Sequence, residues 1–112
     1  MEKMATFVEM SDLSALSAEE LTSIVRQGAV LRLPYLEGRL FQAQEQVGRF
    51  EKKYGTTLDS LTVQGLPENA NYEMHEDFIE WEYWSDFLRK TGSTVGRVKS
   101  LLEKVEAVVG VR

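Results

Sequence analysis

The feature that most constrains this chain is a seam. Read at steps of four and three, the stretch from Met74 to Val109 gives Met74, Phe78, Trp81, Trp84, Leu88, Thr91, Val95, Val98, Leu102, Val105 and Val109. A helix brings residues three and four apart onto one face, so this spacing is one apolar stripe along one long helix. Glu73, Glu76, Asp77 and Glu80 lie in its first turns, and Arg89, Lys90, Arg97, Lys99 and Lys104 lie further on. That order complements the helix dipole. Gly92 and Gly96 are the weak point, each costing about 1 kcal/mol relative to alanine. A turn there would reset the apolar phase, yet the phase runs straight through. The spacing therefore predicts a continuous helix over 73–109.

A second seam precedes it. Leu33, Leu36, Leu40, Ala43, Val47, Phe50 and Tyr54 repeat at three and four without a miss, the narrow stripe of a coiled-coil partner. Pro34 suits the first turn of a helix over 33–54, where its missing N–H costs nothing. Lys52 and Lys53 suit the last turn, and Gly55 suits a left-handed cap. Upstream, Ser17-Ala18-Glu19-Glu20 is a capping box, flanked by Leu16 and Leu21 as a hydrophobic staple. It predicts a short helix over 17–28 that Gly28 ends or weakens. Residues 1–16 read as an extended arm, with the β-prone Ala5–Met10 run suited to a partner's sheet edge. Residues 55–72 read as a connection in which Thr57 caps a short helical turn and Gly65, Pro67 and Asn69 break regular structure.

These elements predict an all-α fold in one domain, 1–112. It is an antiparallel helical hairpin with a long C-terminal helix and a short capped N-terminal helix, completed by dimerisation into a bundle. The absence of cysteine excludes a disulfide framework and thiolate chemistry. No apolar run approaches the roughly 20 residues of a membrane span. The N-terminal residues have no basic region followed by an apolar core, so no signal peptide is expected and the cytoplasm is the expected location.

Charge carries the functional signal. Between Tyr54 and Leu88 there is no Lys or Arg, while Asp59, Glu68, Glu73, Glu76, Asp77, Glu80, Glu82 and Asp86 make eight acids in a chain of net charge -5. Such a block repels nucleic-acid phosphates and attracts a basic protein. A membrane-surface helix would carry Lys and Arg on its polar face instead. The single histidine, His75, stands near Glu76 and Glu80, but a zinc site needs more ligands of defined geometry. First-turn acids serve the helix dipole without further purpose. Glu76 and Glu80 are also a carboxylate pair, but nothing in the sequence sets them in a dry cleft for acid–base work. No nucleophile turn or phosphate-cradling loop occurs. No catalytic residue, cofactor or metal is therefore expected.

Trp81, Tyr83, Trp84 and Phe87 admit two readings. Trp81 and Trp84 lie on the seam, and the segment beginning at Ser17 would cover what remains in a three-helix core. Alternatively part of this surface is an interface, since Trp and Tyr are enriched at binding hot spots. A homodimer accommodates both. The interface reading makes Glu76, Asp77, Glu80, Trp81, Tyr83, Trp84 and Phe87 the partner-binding set. The rival reading is a structural homo-oligomeric subunit.

Phe50-Glu51-Lys52-Lys53-Tyr54-Gly55, followed by Glu76-Asp77-Phe78-Ile79-Glu80-Trp81-Glu82, resembles small acidic helical antitoxin components of prokaryotic toxin–antitoxin modules. The resemblance covers about positions 50 to 84. It implies a non-enzymatic protein that neutralises a basic partner toxin by covering its surface. No basic DNA-binding strand or helix-turn-helix accompanies it, so the resemblance does not extend to binding an operator.

Overall fold

The computed structural model describes residues 9–110, with side chains described through Ala107. Its helices are α1 (Met10–Ser14), α2 (Ala18–Tyr54), α3 (Leu58–Gln64) and α4 (Tyr72–Gly110), and no strand occurs among the described residues. Among the described residues the fold is all-α. The chain divides into two compact units, Pro34–Arg97 on one hand, and Met1–Leu33 with Val98–Arg112 on the other.

Within Pro34–Arg97, α2 and α4 run antiparallel. Lys53 meets Glu73, Arg49 meets Glu80, and Arg39 lies over the ring of Phe87, so position falls along α2 as it rises along α4. The core is Phe50, Leu61 and Trp81, with Tyr54, Leu58, Leu66, Met74, Phe78 and Trp84 packed around it. Trp81 is stacked between Phe50 and Tyr54, at centroid distances of 5.7 and 5.9 Å. Further along, Ala43, Thr91 and Val95 are buried.

The connection is built from caps. Gly55 takes φ 64, where a side chain would be strained, and its N–H donates to the Glu51 carbonyl at 2.8 Å. The Thr57 hydroxyl accepts the Ser60 N–H at 3.1 Å and starts α3. Gly65 ends α3 at φ 80. The Asn71 side-chain oxygen then accepts the Met74 N–H at 2.9 Å and starts α4.

In the other unit, the Ser17 hydroxyl accepts the Glu20 N–H at 3.0 Å, one of the two bonds of the expected capping box. Ala29 is buried, Leu21, Val25 and Leu33 are half-buried on the same face, and Val98, Leu102 and Val105 are half-buried on α4. Arg26 pairs with Glu106 at 2.8 Å, both half-exposed, a contact worth about 0–1 kcal/mol.

Both seams hold. All seven positions from Leu33 to Tyr54 are buried or half-buried, and so are the ten described seam positions from Met74 to Val105. The α4 helix continues through Gly92 and Gly96. Two expectations are corrected. The helices expected over 17–28 and 33–54 are one, because α2 passes through Gly28 with Pro34 inside it. Its inward face keeps phase through Leu21, Val25, Ala29, Leu33 and Leu36, and burial along that face outweighs one missing backbone bond. A segment continuous with α2 is not a separate third helix. The arm over 1–16 is interrupted by α1, whose Glu9 N–H donates to the Asp12 carboxylate at 2.9 Å. The Ala5–Val8 part of that expectation lies outside the described residues.

Candidate interaction face on α4

The face follows from what the seam leaves outside. With Met74, Phe78, Trp81 and Leu88 turned inward, helical spacing puts Tyr72, Glu76, Ile79 and Tyr83 on the opposite side. All four are exposed, Ile79 at 61% and Tyr83 at 54%. Trp84 and Phe87 bridge between the two sides. Tyr83 stacks on Phe87 at 6.2 Å, and Trp84 meets both edge-on. The Arg39 guanidinium sits 5.0 Å from the Phe87 ring centroid. Arg39 therefore covers one flank of the aromatic group with a cation.

The acidic block is divided by the fold. Lys53 donates to Glu73 and to Asp77, each at 2.6 Å, and the Tyr54 hydroxyl donates to Asp77 at 2.6 Å. The Lys53 ammonium, then the Tyr54 hydroxyl, hold the Asp77 carboxyl below its ordinary value. The same bonds to Asp77 and Glu73 push Lys53 up. Burial, then the bond to Asp77, raises Tyr54. Glu80 lies 3.7 Å from Arg49. Asp86 is held low by Lys90 and Arg89 on its own helix. Asp59, Glu68, Glu76 and Glu82 form no ion pair among the described residues. So half of the eight acids are answered by the chain's own cations.

The expected partner-binding residues separate accordingly. Glu76 and Tyr83 lie open on the outer side, Glu80 is half-exposed beside Arg49, and Trp84 and Phe87 are half-buried at the flank. Trp81 is 0% exposed and lies in the core. Asp77 is spent inside the hairpin, where its side chain closes the Lys53–Tyr54 cluster. Ile79 was not singled out in the sequence. Its spacing from Glu76 and Tyr83, four residues or fewer along one helix, is the signal that places it with them.

His75 is exposed, and among the described residues no three of His, Cys, Asp or Glu form a group able to hold a metal. No helix among the described residues is long and apolar enough to cross a membrane. An open groove lies along Lys99, Leu102, Glu103 and Glu106. Compared with known protein families, with curated proteins and with solved structures, the chain matches none.

Proposed function

We propose that the chain is a non-enzymatic, cytoplasmic protein-interaction module, antitoxin-like in mode, that binds a basic protein through the outer face of α4. The observation that carries this reading is the exposed pair Ile79 and Tyr83 flanked by Glu76 and Glu82, carboxylates without an ion pair among the described residues. An apolar centre ringed by like charge fits a surface of opposite charge and disfavours nucleic acid and anionic lipid. Glu80, Trp84 and Phe87 complete the contact from the flank.

The test begins with the native complex. Tagged chain purified from its host is sized by light scattering, and its contents are read by mass spectrometry. A stoichiometric basic protein is expected. Its association rate with the variant carrying Glu76→Lys and Glu82→Lys should fall by at least about tenfold at low salt, with a weaker salt dependence. An unchanged rate would overturn the assignment of this face.

Self-association is a second reading, favoured by apolar side chains left exposed on α2, notably Phe41 at 62%. It is compatible with the first, because Phe41 and Ile79 lie on different helices.

A further inference from the structure

The outer side of α4 within Pro34–Arg97 carries a seam of its own. Tyr72, Glu76, Ile79 and Tyr83 follow at steps of four, three and four, the spacing at which one helix meets another. All four are exposed. The seam through Met74, Phe78 and Trp81, packed in the core, occupies the other side of the same helix. The next positions in step are Asp86 and Lys90, which pair with each other at 3.0 Å and end the apolar run. The outer seam is therefore about three turns, or about 16 Å, long.

Charge and backbone together say what fits there. Glu76 lies in the seam and Glu82 beside it, and neither forms an ion pair among the described residues. No Lys or Arg lies between Tyr54 and Leu88 to answer them from nearby in sequence. A carboxylate covered by an apolar contact is costly unless the occupant brings a cation to it. An extended chain laid on this face would leave the N–H and C=O groups on its covered side without partners. The described residues contain no strand, and so no sheet edge to extend. A helix keeps those bonds internal, and its side chains recur at the period of the seam.

Resting on the proposed basic partner and deepening that reading, we propose that the occupant of this face is an amphipathic helix of about three turns on that partner. Apolar residues at heptad spacing meet Tyr72, Ile79 and Tyr83, and a Lys or Arg in the same row meets Glu76. Glu76 thereby sets the register, as a single polar residue in an apolar seam does. Glu82 takes a second cation at the edge.

Two synthetic peptides of about 14 residues, long enough to span the seam as a helix, test this against the full chain. Both hold leucine, lysine and alanine in the same amounts. In one the leucines stand at heptad spacing with a lysine in their row, and in the other they alternate along the chain as in a strand. Fluorescence anisotropy of the labelled peptides should show the heptad peptide binding at least about tenfold more tightly. Its circular dichroism should gain helix on binding. Glu76→Lys and Ile79→Ser should each weaken it at least about tenfold. Both positions are exposed, so the melting temperature should hold. Glu45→Lys, an equal change of charge on α2, should weaken it less than about twofold. Equal binding of the two peptides, or binding of neither, would overturn the helical occupant. A heptad peptide indifferent to Glu76→Lys or Ile79→Ser would overturn it too. The basic-partner reading is judged separately, by the association rate of the purified partner with the variant carrying Glu76→Lys and Glu82→Lys. A partner slowed by that variant while the two peptides bind alike would keep the face and refute the helix.

Discussion

Replacing Phe50 by alanine should remove a large part of the stability of the Pro34–Arg97 unit. Phe50 is 0% exposed, and its ring stacks on Trp81 at 5.7 Å. Truncating a buried phenylalanine to alanine costs about 3–5 kcal/mol. The stacking contributes about 0.5–1.5 kcal/mol of that, beyond the area buried. The exposed Arg49 guanidinium, 4.3 Å from the Phe50 ring centroid, adds about 0.5 kcal/mol. A cost near 4 kcal/mol is large against the roughly 6–17 kcal/mol that a chain of 112 residues holds in total. With about 2.1 cal/mol/K of unfolding entropy per residue, the melting temperature should fall by about 15–20 °C. Thermal melts should be followed by far-UV circular dichroism and by tryptophan fluorescence. Both tryptophans lie in Pro34–Arg97, so fluorescence reports on that unit and circular dichroism on all helices. A fall below about 5 °C in the fluorescence transition would refute the argument that Phe50 and Trp81 form the centre of the core.

Gly96→Ala should raise the melting temperature by about 4 °C, because the added methyl enters open space and alanine is about 1 kcal/mol better in a helix. A lowered melting temperature in the same assay would contradict that placement. Asp77→Asn should flatten the acid limb of stability. Its carboxyl is held below its ordinary value in the folded chain, chiefly by the Lys53 ammonium, so its contribution is present at neutral pH and is lost as pH falls through that lower folded value. Melts from about pH 7 down to about pH 2 should show a steeper decline for the wild type, and parallel declines would count against the Lys53–Asp77–Tyr54 cluster as its source.

The fold was legible where burial and periodicity agree. The α4 seam carried the helix correctly through Gly92 and Gly96, and the same argument would have carried α2 through Gly28 and Pro34. Leu21, Val25, Ala29 and Leu33 keep the inward phase across both residues, but a proline reads locally as a start or a stop. The helix α1 was hidden because Glu9, its N-cap, is not among the residues usually found there, and its partner Asp12 is recognisable only after the turn has formed. Of the residues that the sequence groups on α4, the fold leaves Glu76 and Tyr83 exposed and takes Trp81 into the core. Trp81 already stood on the seam, and that position outweighs the interface preference of tryptophan. The neutralisation of Glu73, Asp77 and Glu80 depends on Lys53 and Arg49, which the hairpin brings across from α2.

The antiparallel pairing of α2 with α4 also sets the lengths of chain that its contacts close. Lys53 and Glu73 are separated by 20 residues of chain, whereas Arg26 and Glu106 are separated by 80. Closing the longer loop from the unfolded chain costs about 1.2 kcal/mol more in entropy than closing the shorter one. Once Phe50 has met Trp81, each later contact closes only a short additional span. The end of the α2–α4 pair at Lys53 and Glu73 is therefore the less costly one to close from the unfolded chain.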